Sequence, residues 1–140
     1  MLSLATDSQR MEHTFELLTG TLQVSIDHGE QPEEIVQVLS TAARLARERD
    51  LQSLLVISGV DDPVTPLSVS VAIEEIHALG APPPFRIAFV ACMLPQYKAY
   101  HFAEGYARRF GILTKALAST RDAKLWLGLR EDAPGTALRL

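Results

Sequence analysis

The sequence has little cysteine, no long apolar run and no excess of basic charge. Cys92 is the single cysteine among 140 residues, which excludes an internal disulfide and a cysteine zinc site. No apolar run approaches the roughly 20 residues of a membrane-spanning helix. The first ten residues also lack the cationic start and apolar core of a secretory signal. We therefore expect a cytoplasmic protein without a membrane span.

The charges and motifs exclude further classes of function. Seventeen acidic residues against thirteen basic ones give a net charge of −4, and no basic cluster is larger than Arg108-Arg109. A nucleic-acid surface needs a broader basic array, so we expect no nucleic-acid partner. The sequence contains no glycine-rich phosphate loop, no Ser-His-Asp arrangement and no zinc-ligand spacing. We expect no cofactor, no metal and no enzymatic activity.

The apolar residues follow the periods of alternating strands and helices. Alternation on both sides of Gly20 predicts a β-hairpin between Phe15 and Ile26. The short apolar run at residues 54–57 is typical of a strand that is covered on both faces, and residues 86–91 and 113–118 are also predicted to be strands.

Helix signals separate these strands. Pro32 suits the first turn of one helix, and Thr65 with Pro66 begins a second helix that Gly80 ends. A third helix is predicted over residues 95–110, and a last one begins after strand 113–118. The order ββαβαβαβα predicts a single α/β domain over residues 13–130, with a mixed, mostly parallel sheet and surrounding helices. The remaining segments are predicted to be a flexible N-terminal arm, residues 1–12, and a frayed C-terminal tail, residues 131–140.

One segment resembles a known family. The element order, with residues 102–127 and above all the ending Asp122-Ala-Lys-Leu-Trp-Leu127, resembles the SpoIIAA-like proteins, a branch of the STAS-like superfamily. The resemblance implies a small mixed-sheet domain that has no catalytic machinery and acts as a regulatory, protein-binding module. In one class of relatives a serine after a central strand is phosphorylated. Ser58 is the nearest equivalent here, with Thr65 and Ser68 close behind.

Polar residues follow the first inner strand. Ser58, Asp61 and Asp62 lie where an open parallel sheet places a ligand site, with Thr65 and Ser68 next along the chain. Two carboxylates beside a hydroxyl would hold a metal or orient the hydroxyl. We favour the simpler interpretation, in which these residues form a solvated loop with ordinary turns, over the alternative of a phospho-acceptor or binding loop.

Two alternative functions arise from other residues. A small apolar ligand would fit a pocket between the third helix and the sheet, whereas a small enzyme would use Cys92 or Ser58 as its nucleophile. We expect Cys92 to be a small buried apolar residue and Trp126 to be a buried core residue. The aromatic residues that would line the apolar pocket are Tyr97, Tyr100, Tyr106 and Trp126.

The second predicted helix is apolar on more of its surface than a sheet can cover. Val64, Leu67 and Val71 belong to a set that is broader than the usual apolar stripe of about 100°. We therefore expect part of this set to be an exposed interface. It would bind a protein partner or a second copy of the chain in a homodimer. The leading prediction is a non-enzymatic regulatory or protein-binding domain.

Overall fold

The computed structural model describes residues 11–81 and 84–139, so most of the predicted N-terminal arm lies outside the described residues. The described part is an α/β structure in which six strands form one mixed sheet. The strands are β1 (Glu12–Leu18), β2 (Thr21–His28), β3 (Ser53–Asp61), β4 (Phe85–Val90), β5 (Ile112–Leu117) and β6 (Thr136–Leu138). The helices are α1 (Glu34–Glu48), α2 (Pro66–Ala78), α3 (Leu94–Arg108) and α4 (Thr120–Trp126).

The sheet order is β5-β4-β3-β2-β1-β6. β1 and β2 form the predicted antiparallel hairpin, and Gly20 takes the left-handed conformation that its turn requires (φ +70°). β2, β3, β4 and β5 then run parallel, with α1, α2 and α3 as the crossovers. The predicted α/β class and element order from β1 to α4 are confirmed.

The C-terminal segment corrects one prediction. Residues 131–140 do not form a simple frayed tail, because β6 pairs antiparallel with β1. Without β6, β1 would be a sheet edge with unpaired backbone groups. Leu138 also packs against the main core. A strand of three residues is too short to produce a recognisable alternation in the sequence.

The two faces of the sheet carry cores of different size. Alternate residues of the central strands, such as Val56 and Phe89, face α1, α2 and α3 in the main core. The residues between them, such as Ala88, face α4 in a much smaller cluster. Trp126 is only half-buried at the edge of that cluster, since α4 has seven residues and covers little of the sheet. The predicted core residue Trp126 therefore packs against a core, but it is only partly buried there.

None of the helices in the described ranges combines the length and the apolar character that crossing a bilayer requires.

Candidate functional site

The carboxyl ends of the parallel strands form the region where the sequence predicts a ligand site. β3 ends at Asp61 and leads through a short loop into α2. Thr65 ends this loop: its hydroxyl accepts a hydrogen bond from the Ser68 backbone N–H at 3.1 Å, and the Ser68 hydroxyl accepts one from the Thr65 N–H at 2.9 Å. This reciprocal capping box fixes the start of α2 as the sequence predicts. It also means that both hydroxyl groups already have structural partners.

Ser58, Asp62 and Tyr100 form a buried polar cluster behind this loop. Their exposed fractions are 3%, 4% and 0%. The Ser58 hydroxyl donates to Asp62 Oδ2 at 2.7 Å, and the Tyr100 hydroxyl lies 2.5 Å from Ser58 Oγ and 3.3 Å from the same carboxylate oxygen. The shortest contacts are satisfied if Tyr100 donates to Ser58 and Ser58 donates to Asp62. As folded, Ser58 is therefore closed to a phosphorylating enzyme.

Burial controls the electrostatics of this cluster. It raises the pKa of Asp62 above the ordinary value, although hydrogen bonds from Ser58, Tyr100 and the Val64 backbone oppose the shift. Burial and the neighbouring Asp62 carboxylate also raise the pKa of Tyr100 well above its ordinary value, so its hydroxyl stays protonated at neutral pH. Asp62 Oδ1 is buried and has no hydrogen-bond partner among the described residues. The cluster is thus a structural network that contains one carboxylate whose burial is energetically unfavourable.

The raised pKa of Asp62 predicts a pH dependence of stability. The folded state binds this proton more tightly than the unfolded state, so the stabilisation is present below the ordinary pKa of 3.8 and is lost as the pH rises through the folded-state pKa. Across that window we expect the free energy of unfolding to fall by about 1.4 kcal/mol for each unit of pKa shift. Asp62→Asn, which cannot titrate, removes this contribution.

Urea unfolding of wild type, Asp62→Asn and the exposed control Asp27→Asn at a series of pH values measures this effect. If the difference in free energy of unfolding between wild type and Asp62→Asn stays constant with pH, the raised pKa of Asp62 is contradicted. An increase in the stability of wild type relative to Asp62→Asn as the pH rises would contradict it as well.

Gln96 joins the two loops at this end of the sheet, and the sequence analysis did not identify it. Its side chain is 3% exposed. The amide nitrogen donates to the carbonyls of Gly59 at 2.7 Å and Asp62 at 3.0 Å, and the amide oxygen accepts from the backbone N–H groups of Cys92 and Met93, both at 3.1 Å. One side chain thus connects the end of β3 and the loop after it to the loop before α3. Three of the four backbone groups have this side chain as their hydrogen-bond partner, while the Gly59 carbonyl also accepts from the Asp62 N–H at 3.2 Å. The only sequence signal was a glutamine in the first turn of a predicted helix.

The remaining predicted loop residue, Asp61, is exposed. Its carboxylate lies 4.0 Å from Nδ1 of His28. Within the described ranges, no group of three or more histidine, cysteine or acidic side chains is arranged to hold a metal ion. The loop therefore has acidic character without a defined cation site.

The structure does not bring the four predicted aromatic residues into one pocket. Tyr100 is fully buried in the main core, where its ring stacks on Phe89 with centroids 4.2 Å apart. Tyr97 and Tyr106 lie at opposite ends of α3. Trp126 packs with the small cluster on the other face of the sheet. A pocket with this aromatic lining is absent from the described part of the chain.

Cys92 is exposed, so the prediction that it is buried is wrong. β4 ends at Val90, which places Cys92 in the loop before α3. Its thiol lies 3.6 Å from the Gln96 side-chain oxygen. Each of the four histidines contacts a group other than the Cys92 thiol. His13 contacts the carbonyl of Met11, and His28 contacts the carboxylate of Asp61. His77 contacts the ring of Phe110, and His101 contacts both Tyr97 and Glu104.

A groove of about 430 Å³ opens between the first turns of α1 and α2. Leu67, on α2, is 74% exposed, and Val71 one turn further is half-buried. Val36 of α1 forms the facing side, and the sequence analysis did not identify it because it lies at the margin of the core-facing stripe. Val64, in contrast, is 6% exposed and belongs to the core, so its predicted interface role is wrong. The full lining is Pro32, Glu33, Val36, Gln37, Thr65, Leu67, Ser68 and Val71.

No family model matches the chain, and no curated protein and no solved structure matches it either.

Proposed function

We propose that the protein is a non-enzymatic binding module that docks a partner protein in the groove between α1 and α2. The observation that carries the proposal is the exposure of Leu67 beside Val36 and Val71. A contiguous apolar surface of this kind marks an interaction site when it is rimmed by polar residues, and Glu33 and Gln37 supply such a rim. The SpoIIAA-like resemblance supports the same function, since it implies a regulatory, protein-binding domain.

The two side chains that an enzyme would use as a nucleophile make other contacts. Ser58 is buried and bonded to Asp62, and the Cys92 thiol faces an amide oxygen instead of a base. A nucleophile of either type requires a base within hydrogen-bond reach and access for a substrate. These positions give the enzyme hypothesis less support than the groove gives to binding.

A small apolar ligand is the second candidate for the same groove. Ligand sites of this type enclose most of the ligand surface. Here Leu67 is 74% exposed, and the groove is an open depression. This shape favours the larger and flatter surface of a protein. If the docked partner is a second copy of the chain, the protein forms a homodimer through Leu67 and Val71.

The experiment compares the partner proteins retained by immobilised wild type and by two single-charge variants, one changed in the groove and one changed elsewhere. Leu67→Asp places a charge in the groove, whereas Leu125→Asp places the same charge on α4, where Leu125 is 51% exposed. Both changes are at the surface, so we expect both variants to fold like wild type. We expect wild type and Leu125→Asp to retain a common partner that Leu67→Asp loses, with about a tenfold or larger drop in affinity for the purified partner. Equal binding by all three proteins would contradict the proposal.

A further inference from the structure

The groove lies in a part of the chain that has acidic residues and no lysine or arginine. No lysine or arginine occurs in residues 11–43 or in residues 51–85, which supply both walls of the groove. Glu33 lines the groove itself, Asp27 is exposed at the end of β2, and Glu30 is exposed in the loop that follows. The nearest basic residue of α1 is Arg44, in the later half of that helix.

The helix termini at the groove do not cancel this negative charge. The N-terminus of a helix carries roughly half of a positive elementary charge, so α1 and α2 together contribute about +1. Asp27, Glu30, Glu33 and Glu34 contribute four formal negative charges at the end of β2, in the following loop and in the first turn of α1. Glu34 also accepts hydrogen bonds from the backbone N–H groups of Glu30 and Gln31 at 2.8 and 2.7 Å, which holds the loop before α1. The formal negative charges of this segment therefore outnumber the partial positive charges of the two helix termini.

The shape of the groove favours a helical occupant. Both walls are helices, so the groove offers no free strand edge for an extended peptide. Leu67 and Val71 are one helical turn apart and form an apolar stripe about 6 Å long opposite Val36. An amphipathic helix presents matching apolar side chains at i, i+3, i+4 and i+7.

We infer that the groove binds the apolar face of a basic amphipathic helix that belongs to a partner protein. Lysine or arginine side chains at the edges of that helix would face Glu33 and the acidic loop before it. A second copy of this chain fits less well, because a two-fold contact at the groove brings each acidic rim against its own copy. An anionic membrane surface is disfavoured by the same like-charge repulsion. The inference rests on the proposed function and adds the chemical class of the partner.

Three labelled model peptides of about 18 residues test the inference. The first has leucines at i, i+3, i+4 and i+7 and lysines elsewhere. The second replaces every lysine by glutamate, and the third scrambles the lysine peptide so that it has no apolar face. Fluorescence anisotropy measures the binding of each peptide to the full chain. We expect the lysine peptide to bind at least about tenfold more tightly than the other two.

Protein variants locate the binding in the groove. Leu67→Asp makes the protein more negative, so non-specific attraction of the lysine peptide would become stronger. If the peptide binds in the groove, we expect its affinity to fall about tenfold. Glu33→Lys is compared with Glu48→Lys, which changes the net charge equally but lies at the other end of α1. We expect Glu33→Lys to lower the affinity for the lysine peptide several-fold more than Glu48→Lys does.

The outcomes separate this inference from the proposed function. If the glutamate peptide binds as tightly as the lysine peptide and Leu67→Asp abolishes both, the inference is overturned while a groove-binding function stands. If Leu67→Asp leaves the lysine peptide unaffected, binding occurs outside the groove and the inference is also overturned. A doubled mass in light scattering that Leu67→Asp returns to a monomer would identify a second copy as the occupant, and this too would overturn it.

Discussion

Replacing Phe89 by alanine is expected to lower the free energy of unfolding by about 3–5 kcal/mol. Phe89 lies on the central strand β4, is 0% exposed, and stacks its ring on Tyr100 with an interplanar angle of 9°. The substitution removes the buried ring and leaves a cavity that this close-packed core cannot fill. It also removes the surface that holds Tyr100 against Ser58 and Asp62.

Chemical denaturation followed by circular dichroism measures this loss. The matched control is Phe102→Ala: Phe102 lies on α3 and is 58% exposed, so its loss should change stability by less than about 0.5 kcal/mol. If Phe89→Ala does not fold, Phe89→Leu is the milder test and should cost about 1–1.5 kcal/mol. Equal effects for the Phe89 and Phe102 variants would show that the described core is wrong.

Replacing Gln96 by leucine is expected to lower the free energy of unfolding by roughly 2–4 kcal/mol, although the two side chains are similar in size. The change leaves the N–H groups of Cys92 and Met93 without an acceptor and the Asp62 carbonyl without a donor. The Gly59 carbonyl loses one of two donors, because it also accepts from the Asp62 N–H at 3.2 Å. Water can replace the bonds to the exposed Cys92 and Met93 more easily than the bond to Asp62, which lies in the interior.

The control for Gln96→Leu is Gln52→Leu, since Gln52 is exposed and lies just before β3. Its side chain holds no loop, so we expect a change close to zero. Hydrogen exchange adds a local measurement: faster exchange in Gln96→Leu should appear at Cys92 and Met93 and be absent from β1. Unchanged stability and unchanged exchange would contradict the role of Gln96 as a link between the loops.

Local sequence signals predicted most of the fold. Gly20 marked the hairpin turn, and Thr65 with Pro66 marked the start of α2, because these residue types suit only a few backbone conformations. β6 was not predicted, since its three residues carry too little pattern and its position depends on pairing with β1. The exposure of Cys92 likewise depends on where β4 ends, which sequence signals locate only to within a few residues.

The candidate site was less predictable than the fold. The sequence identified Leu67 and Val71, because a helix with too much apolar surface must expose part of it. It did not identify Val36, because the facing wall of the groove is set by the packing of α1 against α2. The contacts of Ser58, Asp62 and Tyr100 join residues about 40 positions apart, and no local pattern encodes such a meeting. The sequence therefore predicted one wall of the groove but not the groove itself.

The groove as a protein-docking surface is tested most directly by site-specific photo-crosslinking. A photoreactive amino acid replaces Leu67 in one protein and Leu125, on the opposite face of the sheet, in another. After irradiation with the purified partner, the account predicts a covalent adduct of the combined mass from position 67 and none from position 125. Adducts from both positions in equal yield, or from position 125 alone, would contradict it.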